Sequence, residues 1–450
     1  MGSIIICIAF ALLVPRLANA NPLSVYGLGS RAMGMAGAYT AVADDFSATY
    51  YNPAGLPQID RLDAGVAISL VASRFSALDN VVVGQSGAPP AARYGSLQPT
   101  STDAGGFDAA AAIGLAERFA LGLAMHLPSS KYIARLATQR SSEPHFVLYG
   151  KRNDRLALLA AIGVRVFGGL HLGVGIDVLF GPRGEMVLSP LAPGGGTADL
   201  ELTFRPRISP YFGVLYKITS AMRVAMLYRH PARQGEVNLD VKASLGFAAL
   251  QASIDTLVFD APRELRLGWS WMPVSWLLLA LDVGWKQWSR VAAASVSVAA
   301  ELNGRPLPFR DNPPRLRDSL QVRVGAEYYV LRWGPLSWTR SLRLKIRAGY
   351  AFTSSLVSEQ RGVSNTLDSH VHQLTAGLGI SAADMFGSAR TVRIDAHVQL
   401  HYLPPRSHHK DTELVDLDGD GDSETRVLGY PGFKASGLVV AAGATLAISF

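Results

Sequence analysis

Along most of the chain, apolar residues recur at every second position, the spacing of strands with one face in an apolar medium. The C-terminus shows it most clearly. Leu438, Val440, Ala442, Ala444, Leu446, Ile448 and Phe450 fall on one face; Gly437, Ala441, Gly443, Thr445, Ala447 and Ser449 fall on the other. Val392, Ile394, Ala396, Val398, Leu400 and Tyr402 alternate with Arg393, Asp395, His397, Gln399 and His401. Leu342 to Tyr350 and Leu320 to Tyr328 repeat the pattern, with Arg, Lys, Gln and Glu between the apolar positions.

Fourteen strands are predicted, near 62–78, 107–116, 119–127, 155–167, 170–180, 206–218, 222–230, 263–272, 276–286, 318–331, 341–353, 370–381, 390–403 and 436–450. Their connections alternate in length. Short ones lie near 117–118, 168–169, 219–220, 273–275, 332–340 and 382–389. Long ones span 79–106, 128–154, 181–205, 231–262, 287–317, 354–369 and 404–435. An even strand number, with short turns at one end and long loops at the other, predicts an all-β transmembrane fold: a 14-stranded antiparallel outer-membrane β-barrel with both termini on the periplasmic side. A soluble sandwich also alternates, but seldom needs strands of this length.

Composition supports this. Hydrophobic residues make up 49% and charged residues 17%, the latter below the roughly 25% of soluble domains. Yet no apolar run after the first twenty residues approaches the ~20 that a membrane helix needs. Residues 1–20 read as a secretory leader, with the apolar core Ser3–Val14 and the small residues Ala18-Asn19-Ala20 before cleavage, although its start lacks a basic residue. A lone membrane anchor is the weaker reading, because the apolar run is too short. Cleavage there removes the only cysteine, Cys7, so the exported chain has no disulfide. The full chain carries a net charge of +7, too mild for its length to suggest nucleic acid.

Residues 21–60 precede the first strand and have no place in the wall. A fourteen-stranded barrel is too wide for its own side chains to fill, so this Gly/Ala-rich segment is predicted to fold into the lumen as a plug. Gly27, Gly29, Gly34 and Gly37 permit tight bends. A solvated periplasmic tail is disfavoured by Met33, Met35, Tyr39, Phe46, Tyr50, Tyr51 and Leu56. Residues 61–450 form the barrel and its outer loops.

The stretch Gly27–Leu56 (GLGSRAMGMAGAYTAVADDFSATYYNPAGL) resembles the N-terminal plug of the FadL/TodX family of outer-membrane transporters for long-chain fatty acids and hydrocarbons. The matching elements are Gly27 to Ala38, then Asp44-Asp45, Ser47-Ala48 and Asn52-Pro53-Ala54-Gly55; weaker echoes at 227–231, Trp288, 322–330, 344–352 and Phe450 carry the likeness along the chain. The resemblance implies a barrel with an N-terminal hatch. It implies passive uptake of hydrophobic molecules, capture by outer loops, an internal binding site, and sideways exit into the membrane. It places the hatch at Gly34, Gly37, Asp44, Asp45, Asn52, Pro53 and Ala54, with Asn52-Pro53-Ala54 beside the wall opening. Pro53 locks its own φ and restricts Asn52, which suits either a gate or a plain structural turn.

Alternation points Arg155, Arg165, Arg223, Arg229, Arg266, Lys286, Arg323, Arg343, Lys345, Arg347 and Arg393 into the lumen, against Asp177, Glu264, Asp282, Glu327 and Asp395. The basic excess has two readings. Arg323 or Arg347 holds a ligand carboxylate bidentately, beside Phe46. Alternatively, these groups pair with one another and with Asp44 and Asp45. In the loop 231–262, Leu245, Phe247 and Leu250 form an apolar ligand-capturing cover or pack on neighbouring loops. Asp416, Asp418 and Asp420 with Gly421 match the start of a calcium loop; the bidentate Glu at its twelfth position is replaced by Val427, leaving Asp422 and Glu424 as substitutes. A solvated acidic turn is the alternative to bound calcium.

No catalytic constellation emerges. The glycine spacing at 27–34 is wrong for a dinucleotide loop, and no G-x-S-x-G elbow occurs, so an enzyme is not expected. The expected partners are a hydrophobic small molecule and the lipid and lipopolysaccharide of a Gram-negative outer membrane; a monomer is expected. A general porin and a surface-binding barrel with a calcium loop are the alternatives.

Overall fold

The computed structural model describes residues 23–86, 91–99, 104–128, 142–149, 156–188, 198–231, 236–244, 249–257, 261–291, 295–302, 305–310, 314–336, 339–384, 387, 390–415, 423 and 425–450. Fourteen strands form its wall: β1 Leu62–Phe75, β2 Ala104–Leu115, β3 Phe119–Pro128, β4 Ala157–Phe167, β5 Leu170–Leu188, β6 Ala198–Lys217 and β7 Met222–Arg229. The second half is β8 Arg263–Val274, β9 Leu277–Gln287, β10 Ser319–Trp333, β11 Ser341–Thr353, β12 Val371–Ala383, β13 Thr391–His409 and β14 Gly432–Ser449. Each strand pairs antiparallel with the next. The ring closes where β1 pairs with β14, from Asp63↔Ser449 to Phe75↔Gly437. A closed sheet leaves no unpaired edge, the condition for strands to cross a bilayer.

The two faces follow from the alternation. Outward residues such as Leu70, Leu123, Leu374, Ile394 and Leu446 are exposed, whereas Asp282, Glu327, Gln399 and Thr445 on the inner face are buried. Exposed Phe167, Trp276, Trp333 and Phe450 lie towards the short turns, and Tyr350 and Tyr402 towards the long loops, the two aromatic levels of an outer-membrane barrel.

All fourteen expected strands are present, in the expected order. The long connections differ from expectation. β5, β6, β13 and β14 run beyond their predicted ends. Further hairpins stand above the wall: Leu78–Ser86 with Ala91–Leu97, Glu236–Ser244 with Ala249–Leu257, and Ser295–Leu302 with Arg305–Arg310. Leu239 to Ala243 also pair parallel with the extension of β5. Backbone N–H and C=O groups in such long connections must be satisfied, and added ladders do that. At the long-loop end, His145–Phe146 bridges Thr366–Leu367, and Phe146, Tyr149, Leu367, Leu403 and Phe433 share a buried apolar cluster with β1 and β14 residues.

Candidate functional site

Residues 23–59 are short turns of helix joined by bends: α1 Leu23–Tyr26, α2 Ser30–Met33, α3 Ala48–Tyr51 and a 3-10 helix at Pro53–Gln58. Helices of one turn do not persist alone, so tertiary contacts hold them. Gly29 (φ 77°) and Gly37 (φ 70°) turn the backbone left-handed, as expected of bends. Gly34 does not: its φ is −60°. Its missing side chain instead lets its Cα meet the Cα of Gly377, for a Cβ on Gly377 would lie 3.0 Å from it.

This close approach recurs around the wall. At ten strands an inward glycine faces the segment so closely that a Cβ would fall within 3.0 Å of it: Gly65, Gly114, Gly122, Gly163, Gly173, Gly213, Gly268, Gly325, Gly349 and Gly377. On β4, β5 and β6, Gly163, Gly173 and Gly213 lie under Asn52-Pro53-Ala54 and Pro57. Asn52 ties this contact together. Its Oδ1 accepts from Ala54 N at 3.0 Å, and its Nδ2 donates to Thr40 O at 2.9 Å and Val214 O at 3.2 Å. Pro53, the first residue of the 3-10 helix, needs no N–H there.

Buried acids anchor the rest. Asp282 on β9 accepts from Tyr39 N, Thr40 N and Thr40 Oγ1 at 3.1, 3.1 and 2.6 Å. Asp63 on β1 accepts from Phe46 N at 2.8 Å and binds Arg393. Asp45 accepts from Ser47 Oγ at 2.5 Å and Tyr39 Oη at 2.8 Å. Arg31 donates to Glu327 from Nε at 2.9 Å and Nη2 at 3.1 Å, and to Asp44 at 2.6 Å. Ser30 N donates to Thr445 Oγ1, Ala36 N to Thr375 Oγ1, and Tyr211 Oη to Thr49 O. These partners lie on strands all around the ring, so the segment occupies the bore.

On the long-loop side of the segment stand Arg229, Arg266, Lys286 and Arg323, against Glu264 and Asp282. Arg266 and Arg229 pair with Glu264, and the Arg229 guanidinium also lies over the rings of Tyr50 and Tyr211 at 4.6 and 4.5 Å. Arg323 is opposite Asp282 in the ladder, but no ion pair within 4 Å forms there, and its buried Nε finds no hydrogen-bond partner. Lys286 has no ion pair among the described residues either. Buried Arg323 and half-buried Lys286 thus stand above the segment without an ion pair among the described residues.

The two arginines named from sequence therefore differ. Arg347 is buried between Glu327 (2.6 Å) and Asp395 (2.7 Å), whereas Arg323 is unpaired. Phe46 is buried against Gly29 and Gly65. Asp44 and Asp45 meet the segment's own Arg31, with Arg223 on β7 3.9 Å from Asp44. Leu250 pairs with Ala243 and Leu302 in the outer hairpins. Leu245 and Phe247, residues 1–20, Arg155, and Asp416, Asp418, Asp420, Asp422 and Glu424 lie outside the described residues. Sequence reasoning missed Arg31, Asp63, Tyr211 and the glycine ring; the last was legible as an inward glycine recurring on ten of the strands.

No protein-family model matches the chain, and no curated protein matches it in sequence. Solved structures match it in fold. A Pseudomonas aeruginosa FadL homologue aligns over 97% of this chain and 99% of its own, at 14% identity and a TM-score of 0.57. The P. putida toluene transporter TodX aligns over 95% and 99%, at 13% identity and a TM-score of 0.55. The Ralstonia pickettii toluene transporter TbuX aligns over 95% and 100%, at 15% identity and a TM-score of 0.55. The fold is that of the FadL/TodX transporters, as the plug motif led one to expect.

Proposed function

We propose that this chain is an outer-membrane channel for passive uptake of hydrophobic small molecules that carry a carboxylate, with residues 21–60 as its hatch. The observation that carries the reading is a pair of cations with no ion pair among the described residues, buried Arg323 and half-buried Lys286, above the hatch. A cation in a low-dielectric lumen favours an anionic head, and the buried Tyr50 and Tyr211 rings beneath Arg229 suit an apolar body. The FadL homologue, TodX and TbuX, whose fold it shares, are consistent with hydrophobic cargo. The contacts that the segment makes with strands all around the ring argue against a general porin.

The cargo leaves sideways. A water-filled route would cost a hydrophobic ligand roughly 25 cal/mol per Å2 of apolar surface kept wet. The exit lies across β4 to β6, where inward glycines lie beneath Asn52, Pro53 and Ala54. The described ladders there are continuous through mid-wall, so opening requires the hatch to shift and strands to part.

Uptake of radiolabelled laurate by cells lacking other such transporters tests the reading. Expression of the chain is expected to confer saturable uptake. Arg323→Met with Lys286→Met is expected to lower laurate uptake far more than toluene uptake. Equal loss for both compounds would remove the carboxylate from the proposal, and no uptake of either would remove the function.

A further inference from the structure

We propose that a recess at the short-turn end of the bore is a second, separate oxyanion site. It is built where β11, β12 and β13 leave their short turns, and it is lined by Arg31, Lys345, Arg347, Arg393, Ser381 and Asp395. It holds about 20 Å3 of free volume, above the roughly 10–15 Å3 that one water-sized group needs. Four of these residues are cationic and one is acidic.

The donors facing the recess are only partly used. Lys345 Nζ makes no hydrogen bond among the described residues: Glu327 Oε1 is 3.7 Å away, and it lies 4.6 Å over the Tyr329 ring. Arg347 gives Nε to Glu327 and Nη1 to Asp395, which leaves Nη2. Arg393 gives Nη2 to Asp63, which leaves Nη1. The nearby acids, Glu327, Asp63 and Asp44, already accept from Arg31, Arg347, Arg393 or Phe46. Gly379 keeps the recess open, for a Cβ there would strike Asp395 Oδ1 and both Arg347 Nη atoms. Three unspent donor sets around a small opening fit a carboxylate or phosphate oxygen set. The recess lies at the short-turn end of the bore and does not depend on the transport reading.

Titration calorimetry of the full-length folded barrel with inorganic phosphate and, separately, with acetate tests this. The protein with its recess intact is expected to bind at least one of them. Lys345→Met and Arg393→Gln are each expected to weaken binding by about tenfold, and the double variant to lose it. All titrations are made in an Arg323→Met/Lys286→Met background, which removes the other cation cluster, and Arg340→Gln, at an exposed arginine outside the recess, is expected to leave binding unchanged. Binding of phosphate alone identifies a free inorganic anion as the occupant, and binding of acetate alone identifies a carboxylate, of cargo or metabolite. The heat-dependent mobility shift of a folded barrel checks each variant, with Lys345→Gln as the substitute. Absence of heat with both anions, unchanged affinity in the double variant, or equal loss in Arg340→Gln would overturn the proposal.

Discussion

Gly173→Ala adds a single methyl group, and the structure states where it goes. The new Cβ on β5 would lie 2.3 Å from Ala54 N and 2.3 Å from Pro53 C, both backbone atoms of the segment. Non-bonded carbon contacts settle near 3.5–4.0 Å, so the segment or the strand must yield by about 1.2 Å. Such overpacking costs about 1–3 kcal/mol, which shifts the docked-to-undocked ratio of the segment by roughly 5- to 150-fold. Gly284→Ala is the matched control. It is also an inward glycine, on β9, but its Cβ would meet nothing closer than Gln321 Cβ at 3.7 Å. The assays are ion conductance in planar bilayers and limited proteolysis of residues 21–60. Gly173→Ala is expected to raise both open-channel conductance and cleavage, and Gly284→Ala neither. Indistinguishable behaviour of the two variants would refute the claim that the segment rests on a glycine-lined wall.

Asp282→Ala removes the acceptor of three buried donors, each costing about 1–3 kcal/mol when left unmet; amide exchange at Tyr39 and Thr40 is expected to accelerate, with the wall protons unchanged. Burial pushes the Asp368 carboxyl of the outer-loop cluster up to about 6, although Leu356 N and Val357 N donate to it. Its folded state therefore holds the proton more tightly than the unfolded state, so its contribution is full at acid pH and falls as pH rises from about 4 to about 6. Exchange protection of residues 354–369, measured in wild type relative to Asp368→Asn, is expected to decline across that window and stay level above it; a flat difference would contradict the burial. Calorimetry with calcium is expected to give heat that Asp418→Asn abolishes, if the acidic run at 416–424 binds the ion.

The wall was legible because its physics is local. A strand between lipid and lumen must alternate, and hairpins between such strands must be short at one end, so the strand pattern and turn lengths are enough to place β1 to β14. The contacts that seat the segment were less legible. Gly173 and Gly213 read as small residues on a polar face; only the fold shows that they meet Pro53 and Asn52. Ala36 and Ala43 adopt positive φ, 53° and 29°, which no propensity suggests. Arg323 and Arg347 are equivalent by parity, and their difference depends on Glu327 and Asp395 arriving from neighbouring strands. The long connections gave no sign of their extra hairpins, because ladders stacked on ladders need no lipid-facing alternation.

The account rests on the segment being seated in the bore and having to move for cargo to pass. Ser30 Oγ and Thr445 Oγ1 lie 2.9 Å apart, one on the segment and the other on β14. Uptake by a Ser30→Cys/Thr445→Cys double variant is the direct measurement. The account predicts that the pair cross-links, that uptake falls while the bond holds, and that a reductant restores it. Failure to cross-link in a folded barrel, or undiminished uptake by the cross-linked protein, would contradict it.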